Sequence, residues 1–376
     1  MSKKVIRVVA GDRGGWNAIE PPLVRALDAG CAVRVFLTAT CGKQFLDGKL
    51  CPDKRMDVMT GMANTATMAA FFGYSEHHLM VIGASQSKEG TEATKNALMV
   101  PTFLVPRLGV QDMYGSIMPT LRLADNAFDC LCVSDEFARS MVLKEFPGLG
   151  DRVVVTGGPQ FDKTIEIKKS WNEKRRQLRE AMHIDGDQVV FLVVGGLNGT
   201  AETLKLLEEG IEKSGFAQRA KVILRTHPRA TDEDKYLLKK YLAIGGRTWF
   251  TDADRALTPT SEDLLPGVDF VLSGYGTTNY FGILCGMSGV VYVGTPAFKR
   301  DLKAEKGLDR PPEVDIGAGW YVQTGVDLAR VVVDVRHGSK LMSVLKLQEA
   351  QKKIASFNDG HATDRVWGQM QRLMDR

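Results

Sequence analysis

The sequence predicts an α/β protein built from two parallel-sheet domains, and three observations carry that prediction. Short apolar runs rich in β-branched residues alternate with amphipathic stretches along most of the chain. The runs are continuously apolar, as strands covered on both faces must be. One charged stretch with few strand formers, residues 162–184, interrupts the alternation near the middle.

In the first half the expected strands are VIRVVA (5–10), VRVFL (33–37), HLMVIGA (78–84), PTFLV (101–105), DCLCVS (129–134) and DRVVVTG (151–157). Helical patterns such as PPLVRALDAG and DEFARSMVLKEF lie between several of them. After Gly158 the charged, helical stretch runs to the Asp185-Gly186-Asp187 turn. Strands then resume at QVVFLVVGG (188–196), KVILRTH (221–227), DFVLSG (269–274) and GVVYVGT (289–295), with TAETLKLLEEGIEKSG and DEDKYLLKKYLAIG as helices between the first pairs. From Val326 onward the pattern is mostly helical, and no repeat of solenoid period interrupts it. The expected organisation is a Rossmann-like domain over 1–163, a linker helix over 164–187, a second Rossmann-like domain over 188–345, and a C-terminal helix over 346–376 able to cross back to the first domain.

The bulk numbers agree with a globular enzyme. The chain has 376 residues, 44% hydrophobic and 25% charged, a length that suits two domains. No apolar run reaches the roughly 18–20 residues that span a bilayer, and the N-terminal apolar stretch is too short for a signal peptide. A cytoplasmic protein is expected. A net charge of +4, from 49 basic and 45 acidic residues, suits anionic substrates and falls well short of a dedicated nucleic-acid binder. The basic clusters Lys168–Lys169, Lys174–Arg176 and Lys239–Lys240 read as solvated helix faces. The six cysteines contain no C-x-x-C pair, no Cys/His spacing suits zinc, and no metal site is expected.

Glycine-rich turns at strand ends carry the chemistry. The first, Ala10-Gly11-Asp12-Arg13-Gly14-Gly15-Trp16-Asn17, precedes a helix with Pro21 and Pro22 expected near its start. Such a turn lets backbone approach a ligand and aims helix N–H groups at an anion or a sugar hydroxyl. Asp12 and Glu20 are the carboxylates placed to face a cleft; the alternative is that Asp12 caps the helix. A second turn spans Ser85 to Glu92, where a Ser or Thr cap competes with an acceptor-binding or base role for Glu89 or Glu92. VVVTGGPQFD (153–162) reads as the hinge strand that closes the first half.

In the second half, Gly195 and Gly196 within GGLNGTAE open a helix with small residues and free N–H groups suited to a diphosphate. RTHPR places Arg225, His227 and Arg229 at the end of the next strand, where Pro228 stops it; anion or base contact is set against a structural histidine. SGYGTTN offers Ser273, Gly274, Gly276, Thr277, Thr278 and Asn279: freed backbone, hydroxyls and the N–H groups of a starting helix. That is phosphate chemistry, with an ordinary helix cap as the alternative.

These three segments resemble the nucleotide-binding domain of GT-B glycosyltransferases and of the related UDP-N-acetylglucosamine 2-epimerases. RTHPR resembles the His-Pro motif of bacterial sialyltransferases and CDP-glycerol glycerophosphotransferases, and SGYGTTN resembles their Ser/Thr motif, which contacts donor phosphates. VTGGPQFD is similar to the end of the first domain in Kdo transferases and 2-epimerases, FNDGHATDRV to a C-terminal signature of glycerophosphotransferases, and AGDRGGWNAIEPPLVRAL to the first loop and helix of lipid-A-disaccharide synthase. The resemblance implies a GT-B type α/β fold, two Rossmann-like domains with parallel sheets facing across a cleft. Two departures stand out. Asn279-Tyr280-Phe281-Gly282 holds no carboxylate where many GT-B members bind the donor ribose, and the paired acidic residues of the 2-epimerases are missing.

The function this implies is a metal-independent glycosyltransferase without cofactor. It would use a nucleotide-sugar co-substrate, UDP- or CDP/CMP-linked, and an acceptor that is a glycan, a lipid-linked glycan or DNA. Asp12 or Glu92 would act as general base, with His227 the third catalytic candidate; Gly14 and Gly15 would join the ligand-binding set. A UDP-sugar 2-epimerase, a transferase acting on a glycan, a wall phosphopolymer or modified DNA, and a non-catalytic nucleotide-sugar-binding protein are the alternatives. A homodimer is compatible with all of them.

Overall fold

The computed structural model describes residues 3–62, 64–72, 78–85, 88–99, 105–114, 127–227, 230–243, 250–251, 260–338 and 341–376. They divide into two units, Met1–Lys163 with Ser356–Arg376, and Thr164–Ala355.

The first unit runs β1 (Val5–Ala10), α1 (Arg13–Asp28), β2 (Ala32–Thr38), α2 (Ala39–Leu46), β3 (Asp57–Gly61), α3 (Thr65–Phe72), β4 (Leu79–Ala84), α4 (Lys88–Met99), β5 (Arg107–Gln111), β6 (Cys130–Val133), α5 (Glu136–Glu145) and β7 (Val153–Val155). Its seven strands pair in parallel in the order β3-β2-β1-β4-β5-β6-β7. The order reverses between β1 and β4, which makes the carboxyl ends of those strands the ligand-binding crevice of this architecture. Strand β1 is apolar except for Arg7, 3% exposed. Arg7 lies over the Phe72 ring and donates to the Phe72 carbonyl at 3.1 Å, so the buried charge is partnered. Burial, aided by Arg34, still lowers its guanidinium to about 10.

Two expectations change here. Of the expected strand 101–105, residues 101–104 lie outside those described; next to β4 the sheet holds β5, whose RLGVQ sequence lacks a continuous apolar run. Helix α1 begins at Arg13, so Pro21 and Pro22 fall in its interior rather than near its start. Asp12 starts the helix about two turns earlier than the prolines alone would suggest.

The second unit runs α6 (Thr164–Lys169), α7 (Trp171–Ala181), β8 (Val189–Val194), α8 (Thr200–Ser214), β9 (Ala220–Arg225), α9 (Asp232–Leu242), β10 (Phe250–Thr251), β11 (Phe270–Ser273), α10 (Thr277–Cys285), β12 (Val290–Val293), α11 (Pro296–Lys306), α12 (Pro312–Asp315), β13 (Trp320–Val322), α13 (Gly325–His337) and α14 (Met342–Ala355). Its sheet is also parallel, in the order β10-β9-β8-β11-β12-β13, with the reversal between β8 and β11. The stretch 164–187 forms two helices, α6 and α7, separated at Ser170, and both belong to this unit.

A last helix, α15 (Ala362–Met374), belongs to the first unit. Val366, Met370 and Leu373, spaced at helical period, enter the core around β1, β2 and β6. Burying such side chains contributes about 1.5–3 kcal/mol each, which holds the returning chain in place. Among the described residues no helix is long and apolar enough to cross a membrane.

Candidate active site

At the carboxyl edge of the first sheet, Asp12 is 7% exposed and caps α1: its Oδ1 accepts the Gly15 N–H at 2.9 Å. Its Oδ2 accepts the Ser85 hydroxyl. Both oxygens are therefore engaged, and the capping alternative describes the geometry. Gly15 is set by packing: a Cβ there would lie 2.6 Å from the Gly83 carbonyl of β4, so glycine lets α1 sit on the sheet. A Cβ on Gly14 would lie 2.4 Å from Asp112 Oδ2, so that glycine makes room for a carboxylate. Glu92 is exposed on α4, one turn into the helix, where its Oε1 accepts from Asn96 at 3.3 Å. The Glu89 side chain lies outside the described residues. Burial raises Glu20, against the Trp16 indole and Arg13.

Three functional candidates escaped the sequence reading. Asp112 follows β5 directly and is half-buried. Asp135, 3% exposed, caps α5 by accepting the Ala138 N–H at 2.8 Å, and it accepts the Tyr114 hydroxyl. Gln160 donates to the Asp112 carbonyl at 2.6 Å. The signal was present: β1, β5 and β6 are each followed within two residues by an aspartate, Asp12, Asp112 and Asp135.

In the second unit the ends of β9, β8 and β11 stand side by side, so Arg225–His227 and Ser273–Thr277 share one edge of one sheet, separated by β8. Arg229 lies outside the described residues. The glycine turn after β8 differs from expectation. Gly195 donates to the Arg225 carbonyl at 2.8 Å. A Cβ on Gly196 would lie 2.4 Å from the Phe298 ring, and one on Gly274 only 2.0 Å away. These two glycines thus seat Phe298 of α11 at the reversal between β8 and β11. The start of α8 is also taken: Thr200 N–H donates to Asp234 Oδ1 at 2.9 Å, and Glu202 lies in its first turn. Two carboxylates where a diphosphate was expected repel it.

The start of α10 has the opposite character. Gly276 supplies no side-chain cap, and the first turn holds no acidic residue. Ser273 is 4% exposed, and its Oγ has no hydrogen-bond partner among the described residues. That hydroxyl lies 3.7 Å from where a Gly276 Cβ would stand, beside the helix end. Thr277 is exposed there. Its neighbours are committed elsewhere: Thr278 Oγ1 donates to Glu262 at 3.2 Å, and Asn279, fully buried, donates to the Val291 carbonyl at 2.9 Å. Asn279 belongs to the core, where its bond to Val291 ties α10 to β12. Ser273, Gly276 and Thr277 remain from the expected Ser/Thr set as groups open to a ligand.

No protein-family model matches this chain, and no curated protein matches it. Solved structures do share its architecture. A UDP-N-acetylglucosamine 2-epimerase aligns with 100% of this chain and 98% of its own at a TM-score of 0.61 and 14% identity. A glycosyltransferase from Rickettsia africae aligns over 100% of both chains, at 0.58 and 13%. The wall teichoic acid polymerase TagF covers 99% of this chain and 89% of its own, at 0.54 and 14%. The fold is the GT-B fold. At these identities the likeness is one of architecture, and the site residues speak for themselves.

Proposed function

We propose that the protein is a glycosyltransferase that takes a sugar from a nucleotide-linked donor. The observation that carries this reading is the buried Ser273 hydroxyl, without a hydrogen-bond partner among the described residues, beside the start of α10, which no described side chain caps, at the carboxyl edge of a doubly wound sheet. An unmade hydrogen bond at a buried hydroxyl costs stability, and an anionic oxygen placed there would recover it. The donor diphosphate binds the α10 N–H groups, Ser273 Oγ and Thr277, while Arg225, at the end of β9 on the far side of β8, supplies positive charge and His227, just beyond it, a ring nitrogen. Catalysis comes from stabilising the departing nucleoside diphosphate in the transition state and from orienting the acceptor hydroxyl. A general base removes the acceptor proton.

Calorimetric titration with UDP, CDP, GDP and CMP tests the reading. Binding of at least one with micromolar to millimolar affinity is expected; failure of all four removes it. A UDP-sugar 2-epimerase is the second reading, supported by the shared fold of a UDP-N-acetylglucosamine 2-epimerase. Proton NMR of a UDP-sugar incubated with the protein alone separates the two. Epimer accumulation without acceptor supports the epimerase; transfer only upon adding a glycan or lipid-linked glycan supports the transferase.

A further inference from the structure

At the amino-terminal edge of the second sheet, opposite the candidate site, three arginines surround one aspartate. Asp269, just before β11, accepts from Arg175 at 2.7 Å and from Arg179 at 3.4 Å, and its Oδ1 lies 3.6 Å from Arg336 Nη1. Its Oδ2 also accepts the Val190 N–H at 2.8 Å. Arg175 and Arg179 are used up structurally. Arg175 donates to the carbonyls of Pro266 and Val268 at 3.0 and 3.1 Å, and Arg179 to those of Asp185 and Gln188 at 2.7 and 2.9 Å. Arg336 differs. It makes no hydrogen bond among the described residues and keeps 30% of its side chain exposed. One carboxylate against three guanidinium groups leaves two positive charges uncompensated.

These charges border a recess of about 290 Å³, lined among others by Trp171, Arg175, Asp269, Ser288, Val335 and Arg336. Every one of them belongs to the second unit. The Ser288 hydroxyl accepts from Gln348 at 3.1 Å, which leaves its proton to donate. At about 30 Å³ per small heavy group, the recess has room for on the order of ten non-hydrogen atoms. Trp171 and Val335 contribute apolar surface to its lining.

We propose that this recess is a second binding site, for a phosphate monoester carried on a small aromatic or apolar body. The dianion matches the two surplus charges: Arg336 binds its oxygens, with the Ser288 hydroxyl as a further donor. The body lies on Trp171 and Val335. A purely structural cluster that fastens α7 and α13 to the sheet has no need of Arg336, because Arg175 and Arg179 already satisfy Asp269. The inference is independent of the donor site proposed above.

Phenyl phosphate and inorganic phosphate, titrated into the full chain at constant ionic strength, test it by calorimetry and thermal shift. Saturable binding of one phenyl phosphate is expected, with R336A weakening it about tenfold or more and R336K restoring part of it. W171L should weaken phenyl phosphate and leave inorganic phosphate unchanged, a contrast that holds even if R336A folds poorly. S273A serves as the control for anion binding at α10. Loss of phosphate binding in S273A with none in R336A or W171L would overturn the proposal, as would the absence of saturable binding by both probes.

Discussion

The Asp162 carboxylate caps α15 across 200 residues of sequence, accepting the Ala362 N–H at 3.0 Å and the Thr363 N–H at 2.8 Å. The His361 at the helix start makes no such bond itself. Around this contact, the Asn358 side chain accepts from Gly158 at 3.0 Å, and Arg365 donates to the Thr156 carbonyl at 2.7 Å. The VTGGPQFD and FNDGHATDR segments are thus two halves of one structural joint. Gly157 completes it: at φ +80°, a Cβ there would meet the Phe357 carbonyl at 2.1 Å. Replacing Asp162 by Ala should destabilise the protein by about 1–2 kcal/mol, the usual cost of a lost cap. Urea denaturation measures it; an unchanged midpoint would contradict the capping role.

Gly274→Ala should cost about 1–3 kcal/mol, because the added methyl would overlap the Phe298 ring. Phe298→Ala vacates that space. The two substitutions together should then cost less than the sum of their separate effects, and a double-mutant cycle reads the coupling. Additive costs would show that the ring and the glycine do not meet.

Asp269→Ala leaves Arg175 and Arg179 without their carboxylate in a largely buried position. Breaking a buried pair on one side costs about 3–5 kcal/mol, so a loss of that order in chemical denaturation is expected. Asp269→Asn should recover part of it, through the bond from the Val190 N–H.

Ser273→Ala should leave stability unchanged or slightly improved, since it deletes a hydroxyl that has no partner among the described residues. Nucleotide binding should weaken about tenfold, equivalent to ~1.4 kcal/mol. A variant that loses stability while binding normally would assign Ser273 to the core.

Burial, with help from the nearby Asp12 charge, pushes the Cys41 thiol up to about 12 from 9.0. The folded state therefore keeps a proton that the unfolded chain releases above pH 9. Stability from this group is complete below pH 9 and declines between pH 9 and 12. Cys41→Ala should flatten the fall in stability between pH 8.5 and 10.5. In the native protein a thiol reagent should modify exposed Cys51 quickly, and Cys41, Cys130 and Cys132 only upon unfolding.

Much of this was legible in the chain. The central strands β4, β6, β8 and β12 show as unbroken apolar runs, β1 as one broken by Arg7 and β11 as one ending on Ser273, because both faces of each are covered. The strands that were passed over are explained by the same physics. β3, β10 and β13 lie at sheet edges, β3 with mostly half-exposed residues, and β5 interrupts its apolar pattern with Arg107, Gly109 and Gln111. An edge strand has no need to be apolar on both sides, so its sequence carries little signal.

The ligand groups divided along a different line. Residue type alone marked SGYGTTN as phosphate chemistry, since a helix start after glycine has donors wherever it lies. What occupies those donors depends on chain segments far away in sequence. Asp234 takes the start of α8, Phe298 fills the space over Gly196 and Gly274, and Glu262 engages Thr278, whereas no side chain among the described residues caps α10. The alternation of apolar runs by itself determined a doubly wound α/β chain, because burial on both faces dictates residue type locally. Which glycine turn stays open to an anion was decided only by the tertiary structure, because a helix end is satisfied by whichever side chain the fold brings to it.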